Sequence, residues 1–285
     1  MTELLMTKEI EAKVKTLKEI AKEVRKDDLT MLTKAGSGHP GGSLSMVEIL
    51  VTLFYGGVLR HDPKNPDWSD RDRLILSKGH GCPALYVLLA RRGYFARELL
   101  WTLRKLGSPL QGHPHRGLAG IETSSGSLGQ GLSIATGIAL AARLDQKQYR
   151  VYCILGDGEI EEGQIWESAM TAAHYHVDTL CAILDANGVQ QNGPVREIKT
   201  LEPIADKWRS FGWHPIEIDG HRFAALLGAF EEAKSVKGKP TIVIARTVKG
   251  KGVSFMEGRS EWHGKAPNQE QLEQALKEIE AGDIG

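Results

Sequence analysis

Cysteine is scarce in this chain of 285 residues: there are three, Cys82, Cys153 and Cys181. They are widely spaced, and two sit in apolar runs that read as strands. That excludes a disulfide-stapled scaffold and fits buried free thiols in a reducing compartment. Neither sign of charge is in excess, with 36 basic against 36 acidic side chains. That balance argues against a nucleic-acid or polyanion surface as the main business. Local basic runs such as residues 22–26 read as solvated helix faces. No apolar run approaches the length of a membrane span, and the start, MTELLMTKEIEAKV, is too charged for a signal peptide. The expectation is a soluble cytoplasmic protein that takes neither nucleic acid nor membrane as a partner. Internal repeats and low-complexity tracts are also missing, so residues 1–285 read as one large domain. Glycine, by contrast, is plentiful at 32 residues, and several of these fall in a few loops.

The chain is organised around residues 156–187, GDGEIEEGQIWESAMTAAHYHVDTLCAILDAN. The apolar run 151–155 leads into Gly156-Asp157-Gly158, and a second run, 180–184, ends at Asp185-Ala186-Asn187. Between them, residues 161–173 carry Ile165, Ala169 and Ala172/Ala173 at helical spacing. Strand, helix and strand of these lengths make a crossover unit with parallel strands. Asp157 and Asn187 therefore each follow the carboxyl end of a strand, where open parallel sheets bind ligands. Two oxygen ligands converging there suit a hard cation shared with phosphate, most simply Mg²⁺. Gly158 would leave a backbone N–H for a phosphate oxygen near a helix N-terminus. Spacing alone leaves a second reading equally open, in which Asp157 and Asn187-Gly188 are ordinary turn residues.

The flanking sequence extends the same alternation. Residues 8–35 form an amphipathic helix with Ile10, Val14, Leu17, Ile20 and Val24 on one face. Gly36, Gly38 and Gly41 spell a dinucleotide fingerprint, but that motif needs a preceding strand and here follows a helix. A helix is expected over 44–55, a loop over 61–72, a strand over 73–76, and helices over 84–91 and 98–106. Residues 107–126 form a long glycine- and proline-rich loop, and loops of that length are usually functional. A helix over 128–144 enters the strand at Val151. Beyond Asn187 come a polar loop over 188–197, a helix near 204–211, strands over 215–218 and 240–245 around a helix over 224–234, a lysine- and glycine-rich loop over 247–258, and a closing helix over 268–280. Five strands with helices between them give an α/β fold with a doubly wound, mostly parallel sheet.

The GDG…N spacing resembles the thiamine-diphosphate signature, and five further motifs in order narrow it. SGHPGGSLS (37–45), SKGHGCPALY (77–86), GHP (112–114), SGSLGQGLS (125–133) and WHGKAP (262–267) resemble the amino-terminal half of transketolase. The resemblance covers about residues 30–270 and implies a thiamine-diphosphate-binding, PP-domain type fold. It implies that Asp157, Asn187 and the main-chain carbonyl of Val189 hold the metal, Mg²⁺ or, as another hard cation, Ca²⁺. It implies further that His80 and His263 contact the diphosphate, with Gly158 beside it. Gly126 would meet the phosphate end, and Leu128 would pack on a cofactor ring. Glu162 would join a carboxylate network across the subunit interface. His113 is expected at the ketose hydroxyl end, and His39 with His263 at the reacting oxygen. Imidazole suits that work, since it donates from one nitrogen and accepts at the other near working pH. The other six histidines read as surface or capping residues, His174 and His176 among them. One departure from the family stands at Gln191, where an apolar residue usually lies on the thiazolium ring.

The resemblance also implies what is not in this chain. In the family a glutamate from a second, pyrimidine-binding domain activates the cofactor. The expectation is the amino-terminal subunit of a split transketolase, which moves a two-carbon ketol unit from a ketose phosphate to an aldose phosphate in the pentose phosphate pathway. A separate carboxy-terminal subunit would complete the site, with two copies of each chain in a heterotetramer. Two alternatives stand beside it. One is a subunit of another two-chain thiamine-diphosphate enzyme, such as a 2-oxo acid dehydrogenase component or a deoxyxylulose-phosphate-synthase-like enzyme. The other is a non-catalytic nucleotide- or metal-binding module of the same fold.

Overall fold

The helix–strand alternation of the sequence is realised around one parallel sheet. The computed structural model describes residues 3–282; residues 1–2 and 283–285, including part of the charged start, lie outside the described residues. The long first helix α1 (Glu3–Ala35) buries Leu17, Ala21 and Val24 on one side. Two helices, α2 (Pro40–Leu44) and α3 (Val47–Tyr55), replace the single one expected over 44–55. Pro40 opens α2, where its fixed φ suits a first turn. At the break, the buried Ser45 hydroxyl donates to Asp185 at 2.6 Å. Next come β1 (Arg73–Leu76) and α4 (Cys82–Arg92), while the helix expected over 98–106 shortens to a 3₁₀ segment, Arg97–Thr102. Helix α5 (Gln130–Leu144) begins later than expected because Gly129 is left-handed, with φ 85°.

The central unit is β2 (Val151–Gly156), α6 (Gly163–His174) and β3 (Leu180–Ala186). The segment 188–197, expected as plain loop, holds a small antiparallel hairpin, β4 (Val189–Gln190) with β5 (Gly193–Pro194), and the short helix α7 (Val195–Ile198). Then follow α8 (Ile204–Ser210), β6 (His214–Asp219), α9 (Phe223–Ser235) and β7 (Thr241–Arg246). The chain closes with α10 (Gln269–Ala281), whose start carries a reciprocal Asn268–Gln271 capping box.

The five main strands are all parallel, in the order β1-β2-β3-β7-β6. Because side chains alternate, Tyr152, Ile154, Cys181, Ile183 and Val243 face one helix layer, made largely by α1, α3, α4 and α9. Val151, Cys153, Leu155, Leu180, Ala182 and Leu184 face the other, made by α5, α6 and α8. The sheet is thus doubly wound, and its strands read as nearly continuous apolar runs because both faces are covered. All three cysteines are free and buried, and burial pushes the Cys82 thiol up to about 12. Among the described residues no helix is long and apolar enough to cross a membrane. Gly156 pairs with Asp185 in register, so the chain leaves β2 and β3 side by side at one edge.

The reading of residues 22–26 as a solvated face is corrected: Arg25 is fully buried and paired with Glu48, also fully buried. A three-residue step along α1, the same helix buries Asp28, whose carboxyl oxygens have the Ser43 hydroxyl beside them but no hydrogen bond of good geometry. Burial pushes its carboxyl well above the usual range, against the nearby Arg25 charge and the Ser43 hydroxyl. A raised carboxyl pKa means the native state binds a proton that the unfolded chain releases. Its contribution is therefore present at acid pH and lost as pH rises above the ordinary carboxylate range. Asp28→Val removes a polar group whose unpaired burial costs about 1–3 kcal/mol, against under ~1 kcal/mol of helix propensity. The variant is expected to melt higher than wild type, by more at pH 8 than at pH 5. Urea unfolding at both pH values checks this, and a variant less stable at pH 8 would refute it.

Candidate active site

Four loops at the carboxyl edge of the sheet bring four imidazoles together. His39 ends the α1–α2 loop, His80 follows β1, His113 lies in the long 107–126 loop, and His263 follows the lysine-rich loop after β7. Ring centroids are 5.4 Å apart for His39 and His80, 5.5 Å for His39 and His263, 4.9 Å for His80 and His263, and 6.2 Å for His39 and His113. They line a cavity of about 360 Å³ whose floor carries Asp157, Gly158, Asn187 and Val189. Residues from motifs more than two hundred positions apart thus share one wall.

The oxygens expected to hold a metal are oriented from behind. Asp157 accepts the Gly158 N–H at 2.8 Å through Oδ1 and the Gly188 N–H at 2.6 Å through Oδ2. Asn187 donates its amide Nδ2 to Asp185 at 3.2 Å, which fixes the amide orientation and leaves Oδ1 near the Val189 N–H, at 3.1 Å. The Val189 carbonyl accepts from the Lys249 ammonium at 2.9 Å. A carboxylate, an amide oxygen and a main-chain carbonyl form the donor set a hard cation takes. That Val189 oxygen already faces a cation, the side-chain ammonium of Lys249. Among the described residues no group of three or more His, Cys, Asp or Glu could hold a metal, and the Asp157–Asn187–Val189 set uses one such residue. One detail differs from expectation: the Gly158 N–H is not bare but bound to its neighbour's carboxylate.

Much of the support for this floor was not foreseen from the sequence. Asp185 is fully buried and receives Ser45, Asn187, Thr247 and the Lys78 ammonium, which pairs with it. Those donors hold its carboxyl below the ordinary range despite burial. Lys78 also donates to the Gly42 carbonyl at 2.8 Å. Glu159 accepts the Gly156 N–H at 3.0 Å, the Gly129 N–H at 2.9 Å and the Ser77 hydroxyl, tying the GDG turn to β1 and α5. Lys249 is 2 % exposed, and its ammonium reaches His263 Nδ1 at 2.9 Å. Burial, then the Lys78 charge, lowers Lys249 to about 8. Arg104, whose backbone is left-handed at φ 61°, donates to Ser37 and lies over Gly112, where a Cβ would meet its guanidinium.

The remaining expected residues divide. Gly126 and Leu128 line the cavity, and a Cβ on Gly126 would stand 3.3 Å from the His113 ring. Gln191 lies on the exposed hairpin at the cavity rim, beside Gln190, whose amide donates to Glu161 at 2.9 Å. Glu162 is not in the lining: it is exposed at the start of α6, with its Cβ against Gly129. Its expected place in a carboxylate network between subunits is compatible with that exposed position. His174 and His176 are exposed, as expected. His221 is not a surface histidine but is 9 % exposed and doubly bonded.

The imidazoles are neutral near pH 7. Burial, then the nearby charges of Arg104 and His113, lowers His39 to about 4; burial, then Lys249, lowers His263 to about 3. Burial first also depresses His80 and His113, with Lys78 and Arg104 next. Between these values and the ordinary 6.5 the unfolded chain binds more protons than the folded one. Stability is therefore full above about 6.5 and falls as the pH drops toward 4 and 3. An NMR titration of the histidine ring protons is expected to place His39 near 4 and His263 near 3. An ordinary midpoint for either ring would show that the cluster is solvated.

Comparison with known proteins agrees with this geometry. Residues 16–281 match the family described as "Transketolase, thiamine diphosphate binding domain". The chain is 48 % identical over 261 residues to the 6-deoxy-6-sulfo-D-fructose transketolase subunit SqwG of Clostridium sp. (strain MSTE9), covering 91 % of this chain and 94 % of that one. It is 41 % identical to one of the subunits of the apulose-4-phosphate transketolase of Phocaeicola vulgatus, covering 93 % of this chain and 94 % of the relative. Human transketolase is 41 % identical over 94 % of this chain, which spans 42 % of that protein. The crystal structure of Campylobacter jejuni transketolase superposes with a TM-score of 0.89 at 34 % identity, over 94 % of this chain and 43 % of the other. The chain belongs to the transketolase family, as its thiamine-diphosphate-binding amino-terminal half.

Proposed function

We propose that this chain is the cofactor- and metal-holding subunit of a split transketolase. With thiamine diphosphate and Mg²⁺ it would move a two-carbon ketol unit from a ketose to an aldose phosphate. The observation that carries this reading is the meeting of four neutral imidazoles with the Asp157–Asn187–Val189 oxygens in one cavity. Asp157, Asn187 and the Val189 carbonyl would hold the metal, and His80, His263 and Lys249 the diphosphate, with Gly126 and Leu128 along its length. Gln191 would lie over the ring end from the hairpin. Thiamine diphosphate, when bound, supplies the nucleophilic carbon that accepts the two-carbon fragment.

The protein's own part is proton placement at the sugar oxygens. Lys249 donates to His263 Nδ1, so the His263 proton sits on Nε2. His263 can then give a hydrogen bond to an oxygen gaining charge, with His39 as its neighbour at 5.5 Å. His113, one ring further along the wall, suits the hydroxyl end of the ketose. The relatives named for 6-deoxy-6-sulfo-D-fructose and apulose-4-phosphate support a donor that ends in an anionic group, phosphate or sulfonate. That both relatives are named as subunits supports a separate partner chain, with two copies of each giving two-fold closure.

The test is ketol transfer by this chain mixed with a pyrimidine-binding partner, thiamine diphosphate and Mg²⁺, using ketose phosphates and 6-deoxy-6-sulfofructose as donors. His113→Ala and His263→Ala are each expected to lower kcat by roughly 10²–10⁴, the scale of a lost acid–base group. Wild-type rates in both variants would make the imidazoles bystanders.

A further inference from the structure

The loop that carries Lys249 into the cavity has no secondary structure of its own, yet it is bolted from below by a buried polar relay. Arg25 on α1 and Glu48 on α3 are fully buried, and His221, between β6 and α9, is 9 % exposed. Arg25 Nη2 donates to Glu48 Oε2 at 2.9 Å, and the same oxygen lies 2.9 Å from His221 Nδ1. The other ring nitrogen, Nε2, accepts the Val248 N–H at 2.8 Å. An imidazole that accepts at Nε2 must donate at Nδ1, so the carboxylate of Glu48 selects the tautomer. Arg25 closes the circuit: its Nε donates to the Lys251 carbonyl at 3.1 Å. One bond thus lands just before Lys249 and the other two residues after it.

Three buried ionisable groups are an expensive way to hold a core together, and apolar residues of similar volume often do as well or better. What this relay fixes is the backbone on both sides of one side chain. That side chain is nearly buried and reaches Val189 O and His263 Nδ1 at 2.9 Å each. A flexible four-carbon stem gives its ammonium little directional control, so its aim depends on where the main chain starts.

We propose that His221 is a positioning residue: through Val248 it sets the main chain from which Lys249 meets the diphosphate, with Glu48 and Arg25 fixing its tautomer and orientation. The proposal rests on the reading of the cavity as a thiamine-diphosphate site.

The test uses His221→Phe, which removes both ring nitrogens, and His221→Gln, whose amide oxygen can still accept from Val248. Hydrogen exchange of the chain without ligand comes first. His221→Phe is expected to speed exchange over residues 247–253 by about tenfold or more, with the sheet strands unchanged, and His221→Gln to restore most of the protection. Calorimetry with thiamine diphosphate and Mg²⁺ on the chain with its partner is the second arm. The Phe variant should bind about tenfold more weakly, and that loss should vanish in a Lys249→Met background, because the effect is routed through Lys249. Equal losses in both backgrounds, or faster exchange spread over the whole sheet, would show a merely structural histidine and overturn the proposal. A wild-type assembly that binds no thiamine diphosphate would sink the functional reading instead, while the exchange arm would still decide whether His221 holds the loop.

Discussion

Asp157→Ala is expected to abolish measurable metal-dependent thiamine-diphosphate binding while leaving the fold in place. The residue stands one position beyond β2 and points its carboxylate along the cavity floor, 5 % exposed. Burial and the neighbouring Asp185 carboxylate push its pKa up, so a cation placed beside it would favour the ionised form. Its structural duty is small by comparison: it accepts two loop N–H groups, from Gly158 and Gly188. Losing one such acceptor costs about 1–3 kcal/mol, enough to loosen the two turns but not a sheet buried on both faces. Losing the only carboxylate of the Asp157–Asn187–Val189 set removes the formal charge that balances the cation. Loss of a mere outer-shell partner weakens a metal site by about 10–100-fold, so a direct ligand should cost more than a hundredfold. Calorimetry with Mg²⁺ and cofactor, alongside circular dichroism, separates the two effects. A folded variant with wild-type affinity would remove the central claim about this floor.

The parts of this site that are legible in the sequence are those written locally. Asp157 and Asn187 each follow a short continuous apolar run, so the run that makes a strand covered on both faces also marks the residues that leave it. His39, His80, His113 and His263 are flanked by glycine or proline, which announces a loop shaped for close approach. What is illegible is what the fold assembles from afar. Lys78 meets Asp185 across 107 positions, His221 meets Glu48 across 173, and Arg25 reaches the Lys251 carbonyl across 226. No window of sequence holds both partners, so a buried arginine in a basic run reads as solvent-facing charge. The helix break at Ser45 is hidden for the same reason, since its hydroxyl partner Asp185 lies 140 positions on. Lys249 stands in a loop that reads only as lysine- and glycine-rich, and its aim becomes visible once Val189 and His263 are placed beside it.

The isolated chain is expected to be catalytically silent, with activity appearing only when a second polypeptide is added. The cavity offers groups for one end of the cofactor: oxygens for a metal, imidazoles and an ammonium for phosphate. Activating the aminopyrimidine would need a free carboxyl, and the two that line the cavity are already committed. Asp157 is the proposed metal ligand and accepts the Gly158 and Gly188 N–H groups, and Glu159 is held by Ser77 and the Gly129 and Gly156 N–H groups. In the cavity wall Leu128 stands 38 % exposed, and elsewhere on α5 and α6 Leu144 and Met170 are exposed. Bare apolar surface of this kind invites a partner, and obligate interfaces are larger and more hydrophobic than transient ones. The related transketolases of more than twice this length carry further chain that these residues do not supply. Two relatives of this chain's own length, matched over 94 % of their residues, are named as subunits. The measurement is direct: determine the mass of the purified chain in solution, then assay ketol transfer with thiamine diphosphate and Mg²⁺ before and after adding a pyrimidine-binding partner. A rise of at least about 10³ on addition is expected, since the loss of one essential acid–base group alone accounts for roughly 10²–10⁴. Robust turnover before any partner is present would show that this chain completes its own site and that the two-subunit reading is wrong.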